Sequence, residues 1–222
     1  MRIPGRFNGP PGSANGGYTA GLLAGLLDDP TVQVTLRLPP PLDTDLAART
    51  SPDGVRLYAG EALVAEGVPA APVPAAVPPV DAAAAAAAAR AFPGFTDHPF
   101  PTCYVCGPQR PAPDGLGVYP GFLGDGRTAA PFTAPAEVSA PVLWAALDCP
   151  GGWSVIGPGR PYVLGRMTAT LHRLPAPGEP CVVLGWCAAA EGRKAQVRTS
   201  LYGADGALLG AAAATWIAVP PS

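Results

Sequence analysis

The chain has 222 residues, a formal net charge of −2, 48% hydrophobic and only 14% charged residues. That is enough apolar material for a sizeable core, in one large domain or two of about 100 residues each. The slightly acidic balance and scattered Arg residues exclude a nucleic-acid surface, which needs clustered positive charge to displace phosphate counterions, and no apolar run of about 18 residues marks a membrane span.

The opening "MRIPGRFNGPPGS" has no apolar h-region and does not read as a signal peptide. The expectation is a cytoplasmic protein. Its five Cys are then reduced, and an odd count fits free thiols better than a disulfide framework. With 31 Pro, 28 Gly and abundant Ala, propensity alone is a weak guide, so pattern and turn residues carry the reading.

Residues 16–27 read as an apolar helix, entered through Asn15-Gly16-Gly17. "TVQVTLRL" (31–38) alternates Val32, Val34, Leu36 and Leu38 with polar residues, a period-2 strand with one wet face. "LAART" (46–50) is a second strand. Asp53-Gly54 marks a tight turn into "VRLYAGEALVAEG", which holds two short strands or one bulged strand broken at Gly60. Residues 68–92 are Pro-rich, then run into eight alanines after Asp81, a plausible helix N-cap. They read as a connector between an N-terminal half (1–67) and a C-terminal half (93–222). The alternative is that they pack as an ordinary part of one domain.

The second half repeats the pattern. "GLGVYPGFL" (115–123) and "RTAAPFTA" (127–134) read as strands around the Asp125-Gly126 turn. Residues 139–149 are helix-like. Four long strands follow at 163–174, 181–192, 194–203 and 207–219, with a turn at Asp205-Gly206. Each half is an antiparallel sheet plus one apolar helix, so the predicted class is α+β.

Three stretches carry a family resemblance. "NGGYTAGLLAGL" (15–26) is similar to the His-Gly-Gly start of the central helix in acyl-CoA thioesterases of the hotdog fold. "CYVCGPQRPAPDGLGVYPGF" (103–122) resembles the Cys-x-x-Cys-Gly entry ahead of hotdog domains in thioesterase-like proteins. "WAALDCPGGW" (144–153) resembles the equivalent helix of a second half. The resemblance implies a double hotdog, two antiparallel sheets each wrapped around a central helix. It also implies thioester hydrolysis with no metal or organic cofactor, and an acyl-CoA or related thioester as partner. A double hotdog can stand as a pseudo-dimer or associate as a homodimer.

In that family a backbone N–H after the paired glycines polarises the thioester carbonyl. An Asp or Glu about nine residues past the His, contributed by the facing subunit, activates water or attacks the carbonyl itself. Asn15 takes the His position here, and nine residues on stands Ala24, which has no acid. In the second half Asp148 is the acid, and nine residues before it is Ser139, followed by Ala140 and Pro141 in place of glycines. Pro141 has no N–H to donate. One half keeps the turn and the other keeps the acid, so the resemblance implies one composite site. Asp148 is its base or nucleophile, Gly17 its oxyanion donor with the Tyr18 N–H assisting, and Asn15 a polar partner that orients carbonyl or water. Gly16, Tyr18, Asn8, Trp144 and Trp153 are the substrate-side candidates.

Other readings stand beside these. Gly16-Gly17 can serve close helix packing, Asn15 can be an ordinary N-cap, Asp148 an exposed helix carboxylate, and the tryptophans core. Pro150-Gly151-Gly152 is expected to end the helix just after Asp148, or to form a second glycine turn that binds pantetheine or substrate. Cys103-x-x-Cys106-Gly is half a zinc knuckle; a structural site needs four ligands. His98, Cys149 and His172 are the remaining donors but lack the usual spacing, so the expectation is a tight turn with two reduced thiols and no metal. A Cys nucleophile would need a His partner, and a hotdog dehydratase would need His where Asn15 stands. Neither Gly-x-Ser-x-Gly nor a P-loop is present. The alternatives to a hydrolase are a non-catalytic acyl-CoA-binding or regulatory hotdog protein, and a purely structural hotdog remnant.

Overall fold

The computed structural model describes residues 1–73, 76–110 and 114–220. Ten strands form one continuous antiparallel sheet in the order β2-β3-β4-β1-β7-β10-β9-β8-β6-β5. The first half supplies β1 (Thr31–Leu36), β2 (Ala47–Ser51), β3 (Gly54–Ala59) and β4 (Ala62–Pro69), the last of which runs two residues into the expected connector. The second supplies β5 (Gly121–Phe122), β6 (Arg127–Thr133), β7 (Tyr162–Leu171), β8 (Pro180–Glu191), β9 (Lys194–Tyr202) and β10 (Leu208–Ala218). The expectation of two sheets is corrected. β1 pairs with β7, Val34 opposite Met167, and closes the halves into one sheet. A strand edge left bare is a row of unpaired N–H and C=O groups, and pairing across the halves removes two such edges.

Two helices pack against each other and against one face of this sheet. The first, α1 (Gly16–Ala24), is capped by Asn15, whose Oδ1 accepts the Tyr18 N–H at 2.8 Å. It ends three residues before the expected limit, tightening through Leu26 N–H to Leu23 O and Leu27 N–H to Ala24 O. The third helix, α3 (Ala140–Trp153), is buried from Val142 onward. Leu143 and Leu147 are 0% and 1% exposed, each contributing about 1.5–3 kcal/mol of apolar burial.

The helix does not end at Pro150. It runs through to Trp153, although Pro150 contributes no N–H to the ladder. Tertiary contact explains this. A Cβ on Gly185 would lie 2.1 Å from the Pro150 carbonyl, one on Gly151 2.6 Å from Val197, and one on Gly152 2.4 Å from the Trp216 ring. Glycines on helix and strand let the backbone of α3 lie directly on β8–β10, and Thr128 Oγ1 donates to the Pro150 carbonyl at 2.8 Å. Asp148 is therefore mid-helix, and residues 150–153 form no binding turn.

The eight alanines form α2 (Ala82–Arg90), with the Asp81 carboxylate accepting the Ala84 N–H at 2.7 Å. It covers the sheet face opposite α3. Leu184, Ala129 and Tyr202 pack with Ala85 and Ala88, while their neighbours Val183, Ala130 and Leu201 point to the main core, as alternation along a strand requires. The preceding segment is tied down by Val77, whose N–H donates to Ser200 Oγ and whose carbonyl accepts from the Tyr202 hydroxyl. Residues 115–120 are not strand. They pair with the cysteine loop instead, Leu116 N–H to Tyr104 O and Val118 N–H to Val105 O, and Gly117 turns at φ +61°.

Candidate active site

The antiparallel register of α1 on α3 is set by small residues. A Cβ on Gly17 would lie 2.6 Å from both Asp148 Cβ and the Trp144 carbonyl, and one on Gly21 2.6 Å from Pro141 Cα. Gly17 and Gly21 are one turn apart on one face, and their bare backbone brings the helices into contact. Gly17 thus serves close packing, and that packing carries Asp148 to the N-terminus of α1.

There the Asp148 carboxylate is 3% exposed. Its Oδ2 accepts the Gly17 N–H at 3.0 Å and the Asn15 Nδ2 at 3.4 Å, while its Oδ1 is buried with no partner. Burial pushes this carboxyl up to about 7, against the opposing pull of the Gly17 N–H and the Asn15 amide. Asn15 therefore holds two groups at once, the Tyr18 N–H through Oδ1 and the carboxylate through Nδ2.

The Gly17 N–H is occupied by Asp148, the Tyr18 N–H by Asn15 Oδ1, and the Thr19 N–H by the Asn15 carbonyl. Of the first N–H groups of α1, only that of Gly16 has no hydrogen-bond acceptor among the described residues. Gly16, Asn15, Asp148 and Trp153 all line a cavity of about 360 Å³, whose walls are mainly apolar and include Leu36, Phe100, Ile156, Leu164 and Trp216.

The other candidates lie off this cavity. Tyr18 stacks on Phe7, with ring centroids 3.9 Å apart. Trp144 is 3% exposed and packs over Gly21. Asn8 holds the cysteine loop through its Nδ2 to Thr102 Oγ1, its carbonyl to the Tyr104 N–H and its Oδ1 to Arg110. These three organise the surroundings of the cavity without lining it.

The cysteine pair does not stand alone as a reduced turn. Cys149, one residue past Asp148 on α3, joins Cys103 and Cys106; the three sulfurs lie within 4.8 Å of one another, and all three residues are buried and line the same cavity. Hydrogen bonds from Cys106 and Cys149, with backbone N–H groups, draw the Cys103 thiol down, whereas burial pushes Cys106 up and the bond to Cys103 pushes Cys149 up. His98 stands nearby with its Nδ1 accepting the Phe100 N–H and its Nε2 donating to the Cys106 carbonyl, and burial lowers its pKa. His172 is elsewhere, its N–H bonded to the Leu209 carbonyl.

Among the described residues no helix is long and apolar enough to cross a membrane. No protein-family model and no curated protein matches the sequence. Among solved structures, the chain is similar to a conserved protein of unknown function with a hot dog fold from Alicyclobacillus acidocaldarius, at 12% identity and a TM-score of 0.62, covering 100% of this chain and 92% of that one. It is also similar to a candidate thioesterase II from Thermobifida fusca YX, at 16% identity and a TM-score of 0.58, covering 97% of this chain and 90% of that one. Likeness at such identities speaks for architecture, and function has to be argued from the site. The single antiparallel sheet packed on apolar helices, with the full-length likeness to these structures, establishes that the chain is an α+β protein of the hotdog fold.

Proposed function

We propose that the protein hydrolyses acyl-CoA-type thioesters by Asp148-assisted attack of water, in a single composite site built from the two halves of a double hotdog. In this reading residues 1–67 and 93–222 are the two hotdog units and 68–92 their connector. The observation that carries the proposal is the Asp148 carboxylate. It is buried on the wall of an apolar cavity, one oxygen is fixed by Gly17 and Asn15, and the other is without a partner.

The thioester carbonyl oxygen sits at the free N–H of Gly16, where the positive end of α1 stabilises the developing oxyanion. The role first given to Gly17 passes to its neighbour, because Gly17 spends its N–H on the carboxylate. Asp148 Oδ1 accepts a proton from water as the water oxygen bonds to the carbonyl carbon. The tetrahedral intermediate then collapses with cleavage of the C–S bond, and the proton passes to the leaving thiolate. The products are a carboxylic acid and a thiol, and Asp148 is regenerated. The apolar walls accept the acyl chain and keep bulk water off the carboxylate.

The test is thiol release from short, medium, long and aromatic acyl-CoAs by wild type and Asp148→Asn. The proposal expects turnover by wild type and a loss of at least about 100-fold in the variant, the scale of a general base. Equal turnover in the two would remove Asp148 from the chemistry. Tight binding with no thiol release by wild type would make the protein an acyl-CoA binder.

A further inference from the structure

We propose that Cys103, Cys106 and Cys149 form a thiolate site for one thiophilic divalent cation of the zinc type, at the wall of the cavity. The sulfurs come from two elements far apart in sequence, a loop and the middle of α3, yet all three lie within 4.8 Å of one another, with Cys103 and Cys149 at 4.0 Å. Three sulfurs bound at about 2.3 Å to one tetrahedral ion lie about 3.8 Å apart. A disulfide would use two of the sulfurs and strand the third, whereas one ion uses all three.

The surroundings are built for sulfur that carries charge. The Trp153 indole N–H donates to Cys106 Sγ at 3.4 Å. Donors of this kind orient ligands and offset thiolate charge. The loop that supplies two of the ligands closes tightly, with the Gly107 N–H on the Cys103 carbonyl at 2.9 Å. A Cβ at Gly107 would lie 2.5 Å from the Cys103 nitrogen, so this knuckle requires glycine.

No fourth His, Cys, Asp or Glu donor joins the cluster among the described residues. Both ring nitrogens of His98 are engaged with backbone. Three protein ligands leave one position of a tetrahedral ion to water or to a ligand from the cavity, the pattern of an accessible rather than a closed site.

This inference does not rest on thioester hydrolysis, and its test is spectroscopic. The full chain, purified, reduced and stripped with a chelator, is titrated with Co²⁺ and then with Zn²⁺, with circular dichroism monitoring the fold. The expected result is one Co²⁺ per chain, tetrahedral visible bands, and sulfur-to-cobalt charge-transfer intensity of three thiolates, all displaced by one equivalent of Zn²⁺. Cys149→Ser is expected to lose one thiolate's share of that intensity, while Cys181→Ser and Cys187→Ser leave it unchanged. Folded, reduced wild type that takes up neither ion would overturn the site, as would charge-transfer intensity of fewer than three thiolates. The wild-type spectrum decides the matter even if a ligand variant fails to fold.

Discussion

The two central helices have the same packing partner and opposite chemistry. α1 is nine residues long, begins with two glycines and carries no acid, whereas α3 is fourteen residues long, begins with Ala140-Pro141 and buries Asp148 at its middle. Gly17 meets Asp148, and Gly21, one turn before Ala24 and Gly25, meets Pro141 at the other end. At the first junction a capped helix start with a free N–H faces a carboxylate. At the second, Ser139 makes no side-chain cap, Pro141 has no N–H, and Ala24 offers no proton acceptor. The difference teaches that the proposed site is a relation between two helices, and that only one of the two junctions brings a carboxylate to a helix start.

The largest effect expected from breaking that relation is on turnover. Asp148→Asn preserves the shape of the side chain and an oxygen to accept the Gly17 N–H, so the fold should persist while thiol release falls by about 100-fold or more. Next comes Gly17→Ala. The added methyl has no room, since the nearest atoms belong to the backbone or Cβ of α3. Overpacking of that kind costs roughly 3 kcal/mol, or about 6–12 °C in melting temperature for a chain of this size, readable by calorimetry. Gly16→Ala is the informative contrast. Two of its nearest neighbours are methyl groups, Leu164 Cδ2 at 2.9 Å and Leu36 Cδ1 at 3.1 Å, which can move, and the third is the Leu164 Cβ at 3.0 Å, which is less close than the fixed atoms around Gly17. A melting shift smaller than that of Gly17→Ala is expected.

Asn15 separates cap from site. Asn15→Ser keeps a good N-cap, so the capping itself should change by only a few tenths of a kcal/mol. It removes the amide that donates to Asp148 Oδ2. A hydrogen bond to a charged group contributes about 1.5–3 kcal/mol to stability, so a fall of about 3–12 °C in melting temperature, together with a loss of about tenfold in kcat/KM, is expected. An unchanged melting temperature and unchanged turnover would reduce Asn15 to a cap.

Much of this was legible in the chain itself. Period-2 strands with Asp-Gly and Gly turns gave the sheet content, and the spacing of Asn15, Ala24, Ser139 and Asp148 picked out the pair of helices that meet. What escaped reading depended on contacts between distant residues. Pro150 looks like a helix end because nothing local shows that Gly185, Gly151 and Gly152 clear a path for the backbone against the sheet. Residues 115–120 look like a strand because their hydrogen-bond partners, at Tyr104 and Val105, lie in an irregular loop. The Cys103-Cys106 pair looks incomplete because its third sulfur is 46 residues beyond Cys103, on a helix chosen for another reason. The single sheet follows from the β1–β7 register, and neither strand carries any mark of its partner. Gly17 N–H meets Asp148 Oδ2, but which N–H stays free depends on where the carboxylate turns, a property of side-chain geometry rather than spacing.

The smallest expected effect is also the one that tests the asymmetry most directly. Ala24→Asp installs the missing acid at the second junction, on a half-buried position of α1. An acid alone is not a site. The facing helix start has Pro141 where a donor is needed, and a thioester carbonyl placed there would find no N–H at that residue. In the Asp148→Asn background, Ala24→Asp should therefore leave thiol release at the level of the single variant. Recovery of turnover would mean that the carboxylate, and not its pairing with a free helix N-terminus, limits catalysis, and both junctions would then count as sites. The same double variant carrying Pro141→Gly separates these cases further. It restores the backbone donor, so any activity that appears only in the triple variant measures what the helix start contributes.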